Sequence, residues 1–257
     1  RQIANLANEA AIFSVRKNSE IITREHILDA YEKITIGLVS NTQTANKEII
    51  DLVSNHEVGH AYMVGLFKDM FDLRKVTINE NKSGAGGYTL FTPKERYQKY
   101  PAKKFMLANL IIALGGRAAE VYMYRKNNQN SDKDSIFSCF SDLEVTTGAS
   151  NDLKQATNIA RSYITDYGFG QFLLSNQEPY NSETPFMGRD FGIDPKRLSD
   201  NTKYNIDMQV NELLEFAFNQ SYHLIEKNEN KFIKTVELLK EKRIISGEDM
   251  YNIMDEK

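Results

Sequence analysis

His56-Glu57-Val58-Gly59-His60 sets two histidines four residues apart, and the reading of the whole chain turns on it. On a helix that spacing puts both imidazoles on one face, one turn from each other, where they can share a metal ion. Glu57 follows the first histidine and can reach a water bound to that ion. This is the HExxH arrangement, two ligands and a general base. The chain has four histidines, and two of them are here. Ile49, Ile50, Val53, Ala61, Val64 and Phe67 recur at helical spacing on both sides, so the segment predicts a long packed helix from about residue 45 to residue 68. A plain polar helix face is the alternative, but a well-packed helix with paired histidines beside its apolar stripe points to a bound ion.

Working outward, most of the chain reads as helix. Residues 2–16 are rich in helix formers, and Thr23, Glu25, Ile27, Leu28, Tyr31 and Ile34 mark a second helix ending at Gly37. Residues 37–44 read as a linker. Two short strands are expected, at 73–78 and 87–91, joined by a turn at Ser83-Gly84-Ala85-Gly86. Thr92-Pro93-Lys94-Glu95 has the form of a helix start, with a Thr cap, Pro in the first position and Glu three after the cap. Pro101 opens a helix to about residue 124 whose Gly115-Gly116 pair makes sense if another helix packs closely there. Residues 126–142 read as a polar loop insertion and 169–198 as an irregular Pro/Gly segment. Ser150 is a candidate cap for a helix to Tyr167, stopped by Gly168. Helices at 200–227 and 229–242 and a short one started by Ser246 complete the pattern.

The chain has 257 residues, 41% of them hydrophobic, and a net charge of −3. That is room for one large domain with a real core, or a domain with a small appendage. The near-neutral balance gives no electrostatic case for a nucleic-acid partner. Cys139 is alone, so no disulfide forms within the chain. No apolar run approaches the ~20 residues that span a bilayer, and residues 1–5 do not resemble a signal peptide. The phosphate loop GxxxxGK[ST] does not occur in it.

A hydrolytic zinc site usually takes three protein ligands and leaves one position for water. A third histidine six residues after His60 is excluded, because that position is Leu66. Spacing leaves two carboxylates open. Glu120 has a helical setting, with a buried ion pair as its ordinary alternative. Asp152 lies in the first turn of its helix, where the helix dipole favours a carboxylate in any case. His26 and His223 read as ordinary helix residues.

The motifs taken together decide more than spacing does. HEVGH at 56–60, VTI at 76–78, GGYTLFTPKER at 86–96, LGGRAAE at 114–120, TTGASNDLKQATNIAR at 146–161, ITDYG at 164–168 and FMGRDF at 186–191 run in order over nearly the whole chain. In that order they resemble the peptidase domain of the FtsH family of membrane-bound, ATP-dependent zinc proteases. ANLANEAAIFSVRKN at 4–18 and ITREHILDAYEKI at 22–34 resemble the last helices of an AAA+ ATPase lid. The resemblance implies a mainly α fold: a helical zinc-peptidase domain over 38–257 with a small β-hairpin or sheet, preceded by a lid remnant over 1–37. It implies His56, His60 and Asp152 as ligands of one Zn2+ per chain, Glu57 as catalytic base, and Glu120 as support beside the site. ATP and Mg2+ would enter only through an ATPase core.

Further expectations follow from the same resemblance: a homo- or hetero-hexamer, unfolded polypeptide substrates, and a bacterial inner membrane or a mitochondrial or plastid membrane, reached through segments outside this chain. The chain departs from the family pattern in having Val121 where a second Glu often stands, and in the longer stretch at 126–142. Gly86, Gly87, Tyr88, Thr89 and Leu90 are the candidate substrate strand, an edge to which an extended peptide could add; the alternative is a plain hairpin with a Gly-rich turn. A catalytically inactive scaffold subunit of the same ring and an unrelated helical interaction module are the competing functional readings.

Overall fold

A computed structural model describes residues 2–35, 46–80, 86–127, 142, 145–170 and 199–256. The first two helices, α1 (Gln2–Arg16) and α2 (Arg24–Thr35), pack on each other. Lys17 joins them by reaching Glu25 and Asp29, each at 2.8 Å. The expected linker at 37–44 lies outside the described residues.

The paired histidines sit on α3 (Lys47–Leu66), which starts where the Asn46 side chain accepts from the Glu48 amide. That cap satisfies one of the orphan donors of the first turn. From Val58 to Gly65 every residue of α3 is buried. Its main partner is α5 (Lys103–Asn127), which in turn packs on α6 (Ser150–Thr165) and α7 (Asp200–Lys227), while α8 (Glu229–Lys242) covers another side of α3. Leu110 and Ile112 on α5 and Phe232 on α8 are almost wholly buried, and each contributes on the order of 1.5–3 kcal/mol by leaving water. Among the described residues α5 is the one helix long and apolar enough to cross a membrane, but 78% of that stretch is buried inside the protein, which makes it a core helix.

The expected hairpin is present as β1 (Phe71–Thr77) and β2 (Tyr88–Pro93). A third strand not read from the sequence, β3 (Ile244–Ser246), pairs with β1 on the other side, so the order is β2-β1-β3 and β2 is an edge. Three residues are too short a run to show alternation, which is why the pattern hid it. Glu32 of α2 ties the first two helices to this sheet: it accepts from Lys75 Nζ at 2.8 and 3.0 Å and from the Tyr88 hydroxyl.

Two local expectations are corrected. Thr92 and Pro93 do not begin a helix; they continue β2, opposite Asp72 and Phe71, and α4 (Glu95–Lys99) starts after Lys94. Strand pairing outweighs the local capping pattern, and a proline without an amide proton is tolerated because β2 is an edge. Ser150 is the first residue of α6 rather than its cap; Ala149 holds the cap position with no side-chain bond. A final helix, α9 (Gly247–Asp255), does begin with the Ser246 cap and a reciprocal Asp249 bond. Residues 83–85, 128–141 and 171–198, where a turn, the loop insertion and the irregular segment were expected, lie outside the described residues.

The Gly115-Gly116 pair marks the closest approach in the core. A Cβ on Gly59 would stand 2.4 Å from the Gly115 carbonyl oxygen, and a Cβ on Gly115 would stand 2.6 Å from that of Gly59. Neither backbone can yield without moving a whole helix. Gly115→Ala should therefore destabilise the protein by about 1–3 kcal/mol through overpacking, read as a lower urea midpoint with an unchanged slope.

Candidate metal centre

Helix α3 points His56 and His60 at α5 and at the start of α6, and their rings meet edge-on with centroids 4.8 Å apart. Asp152, in the first turn of α6, closes the group. His56 Nε2 lies 3.1 Å from His60 Nε2 and 3.1 Å from Asp152 Oδ2, and His60 Nε2 lies 3.4 Å from that same oxygen. Ligand atoms on a tetrahedral zinc, bonded at about 2.0–2.1 Å, stand roughly 3.3 Å apart. The triangle has the dimensions of one face of that tetrahedron.

Proton placement points the same way. The second nitrogen of His60, Nδ1, is 2.8 Å from the Ile112 carbonyl oxygen, which only accepts, so the ring proton sits on Nδ1. His56 Nδ1 is likewise 2.7 Å from Glu120 Oε1. In the neutral imidazoles that bind metal, each Nε2 then carries a lone pair, and both lone pairs face a carboxylate oxygen. Three electron-rich atoms brought this close repel one another unless a cation stands between them. The donor set, two imidazoles and one carboxylate with an outer partner on each ring, fits a divalent metal.

The local electrostatics describe a cation-seeking site. Burial lowers the pKa of His56, but the hydrogen bonds it donates to Asp152 and Glu120 outweigh it and carry the imidazole up to about 10, so the two carboxylates favour positive charge here, borne by a proton or by a metal ion that displaces it. Burial works against the charged form of Asp152 as well, yet the two imidazoles hold its carboxyl well below the usual range. Glu57 is buried, which pushes its carboxyl up against the opposing pull of His60, His56 and Thr89.

Glu120 is held on its other oxygen by the Thr146 amide at 3.3 Å and by Arg117 Nη1 at 3.4 Å. Its place is against the outer nitrogen of His56, and the carboxylate that joins the two Nε2 atoms is that of Asp152. Gly116 leaves room for the rings, since a Cβ there would meet His60 Nε2 at 2.5 Å and His56 Nε2 at 2.7 Å.

A cleft of about 450 Å3 opens on the cluster. Leu52 and Val53 of α3, Asn109 and Ile112 of α5, and Asn151 of α6 line it. So do Gly86, Gly87, Tyr88, Thr89 and Phe91 along β2, while Leu90 pairs with Lys75. The cleft therefore brings the candidate strand, Glu57 and the donor triangle together. His26 is buried and accepts from the Thr23 amide at 3.1 Å; His223 is exposed and faces Glu226 at 3.3 Å. Both lie apart from the cluster, as ordinary helix residues do.

Residues 42–253 match peptidase family M41. The chain belongs to that family. It is 30% identical over 253 residues to the ATP-dependent zinc metalloprotease FtsH 4 of Synechocystis sp., covering 98% of this chain and 37% of the relative. It is 35% identical over 246 residues to ATP-dependent zinc metalloprotease FtsH of Mesoplasma florum, covering 93% of this chain and 33% of the relative. A similar FtsH of Streptobacillus moniliformis is 32% identical over 248 residues, 96% of this chain and 32% of that one. The chain thus spans about a third of the length of these relatives. The chain is thus a peptidase-family M41 domain whose donor set fits a divalent metal.

Sequence reasoning had no route to the Ile112 carbonyl, Arg117 or Thr146, whose parts depend on contacts across the fold. Gly116 was legible only as a packing residue. Gly116→Ala should lower zinc affinity about tenfold or more, as for other disturbances of the shell around a metal, in a competition titration against a chromogenic chelator.

Proposed function

We propose that the chain is the proteolytic domain of a membrane-anchored, ATP-dependent zinc endopeptidase that degrades unfolded or damaged polypeptides. His56, His60 and Asp152 hold one zinc ion, Glu57 is the general base, and Glu120 orients His56. The observation that carries the reading is the convergence of two imidazole nitrogens and one carboxylate oxygen beside a buried glutamate, at the floor of a cleft edged by a strand.

Zinc in such a site lowers the pKa of its bound water and polarises a carbonyl. The rest of the chemistry belongs to the chain. Asp152 and Glu120 offset the positive charge that the histidines share. Glu57 takes a proton from the water that attacks the peptide carbonyl and returns it to the amine as the C–N bond breaks; its burial, which favours the neutral form, suits a group that must carry a proton for part of the cycle. Gly86 and Gly87 lead into β2, and Tyr88, Thr89 and Leu90 lie on it, an edge strand among the described residues, where an extended substrate can pair through its main chain. Recognition of that kind depends little on side chains and suits unfolded chains.

Residues 1–37 are assigned to the end of an AAA+ lid and residues 38–257 to the peptidase. The start of the M41 match at residue 42 and the packing of α1 chiefly on α2 support that division. The greater length and the names of the relatives support an ATP-dependent whole; that it forms a ring in which the ATPase delivers substrate is part of the proposal.

In a cleavage assay on an unfolded protein with zinc present, Glu57→Gln should lose on the order of 10²–10⁴ in rate while zinc stays bound. Asp152→Asn should lose metal content by elemental analysis. Proteolysis of undiminished rate in Glu57→Gln would remove the base. Cleavage absent from the unaltered chain despite full zinc would favour a scaffold subunit.

A further inference from the structure

We infer that Thr89 is a positioning residue for Glu57, tying the base to the strand that runs along the cleft. The inference rests on the peptidase reading above and deepens it. Thr89 Oγ1 lies 2.8 Å from Glu57 Oε2 and 3.0 Å from the main-chain carbonyl oxygen of the same residue. Among the described residues it is the side chain that hydrogen-bonds this buried carboxylate. With that one side-chain bond, the hydroxyl held to one carboxylate oxygen decides where the other oxygen points.

The strand is built for this contact. A Cβ on Gly87 would stand 2.7 Å from the Thr77 carbonyl oxygen, 2.9 Å from Val53 Cγ1 and 3.0 Å from Glu57 Cγ. Only a residue without a side chain lets β2 lie this close to α3, and two residues later the hydroxyl of Thr89 arrives at the carboxylate. On β1 the residue opposite Thr89 is Val76, fully buried, so the strand position is held by the core.

The geometry divides the labour between the two oxygens of Glu57. Oε2 accepts from Thr89, and Oε1 remains to take the proton. The Thr89 hydroxyl has one proton and two acceptors on the same residue. Because β2 is also the edge along which a peptide would pair, one strand fixes both the substrate backbone and the carboxylate that takes the proton of the attacking water.

The test uses the whole chain with zinc, a short unstructured peptide substrate, and the variants Thr89→Val and Thr89→Ser, with Glu57→Gln as control. Thr89→Val keeps the shape and loses the hydroxyl; kcat should fall about tenfold or more, as for other partners that orient a group at a metal site. KM and zinc content should stay within about twofold. Thr89→Ser should restore kcat to within about twofold of the unaltered chain. A second readout does not need turnover: affinity for a zinc-chelating hydroxamate, which passes a proton to a base beside the metal, should weaken in Thr89→Val and recover in Thr89→Ser.

Should Thr89→Val fail to fold, judged by its melting curve, Thr89→Ala takes its place. Unaltered kcat and hydroxamate affinity without the hydroxyl would overturn the inference. So would a loss confined to KM, which would make Thr89 a peptide-binding residue only. Failure of the unaltered chain to cleave, or full activity in Glu57→Gln, would count against the peptidase reading, and the hydroxamate comparison would still decide the role of Thr89.

Discussion

The contact on which the structure depends is the backbone crossing of α3 and α5 at Gly59 and Gly115. At that point the two helices approach more closely than any side chain would allow. The donor triangle is assembled at the same crossing, for the next residue along each helix is part of it. His60 follows Gly59, and Gly116 follows Gly115 and yields the space that the rings occupy. Core packing and site geometry are therefore one constraint. A shift of either helix that relieved the crossing would also separate the imidazoles from the Ile112 carbonyl and from Glu120.

The remaining elements refine this arrangement from outside. The first turn of α6 brings a carboxylate to the third corner of the triangle with its charge favoured by the helix dipole. The sheet, pinned to the core by Val76 and Ile245, brings β2 across the mouth of the cleft. The strand edge supplies directionality and α3 supplies the reactive groups, and Thr89 is where the two touch. Buried charge is tolerated here because each charged group has a partner, the general condition for placing ionisable groups in a protein interior.

Periodicity and local punctuation revealed much of this. Two histidines at helical spacing with apolar residues on both sides were enough to foresee the long α3, and a double glycine in a second helix foretold that some helix packs closely there, though not that it is α3. Helices α7, α8 and α9 and the Ser246 cap could be read directly. What sequence could not decide was any matter of contact across the chain. By spacing alone Asp152 and Glu120 stood as equals; the family resemblance favoured Asp152, and the fold puts it on the Nε2 side of His56 and Glu120 on the Nδ1 side. Thr92 and Pro93 carried a helix-start pattern that strand pairing overrode, and the three residues of β3 were too few to show a period. The hydroxyl of Thr89 was visible only as one position in a strand; its aim depends on the absent side chain at Gly87.

The outer partners of the two imidazoles differ in kind. His56 leans on a side chain, Glu120, whereas His60 leans on a peptide carbonyl, that of Ile112. A codon change can delete the first acceptor but not the second, since every amino acid brings the same carbonyl. The pair is therefore unequal before mutation: one ring's basicity is open to adjustment through position 120, while the other is anchored by the polymer itself and persists so long as α5 remains a helix.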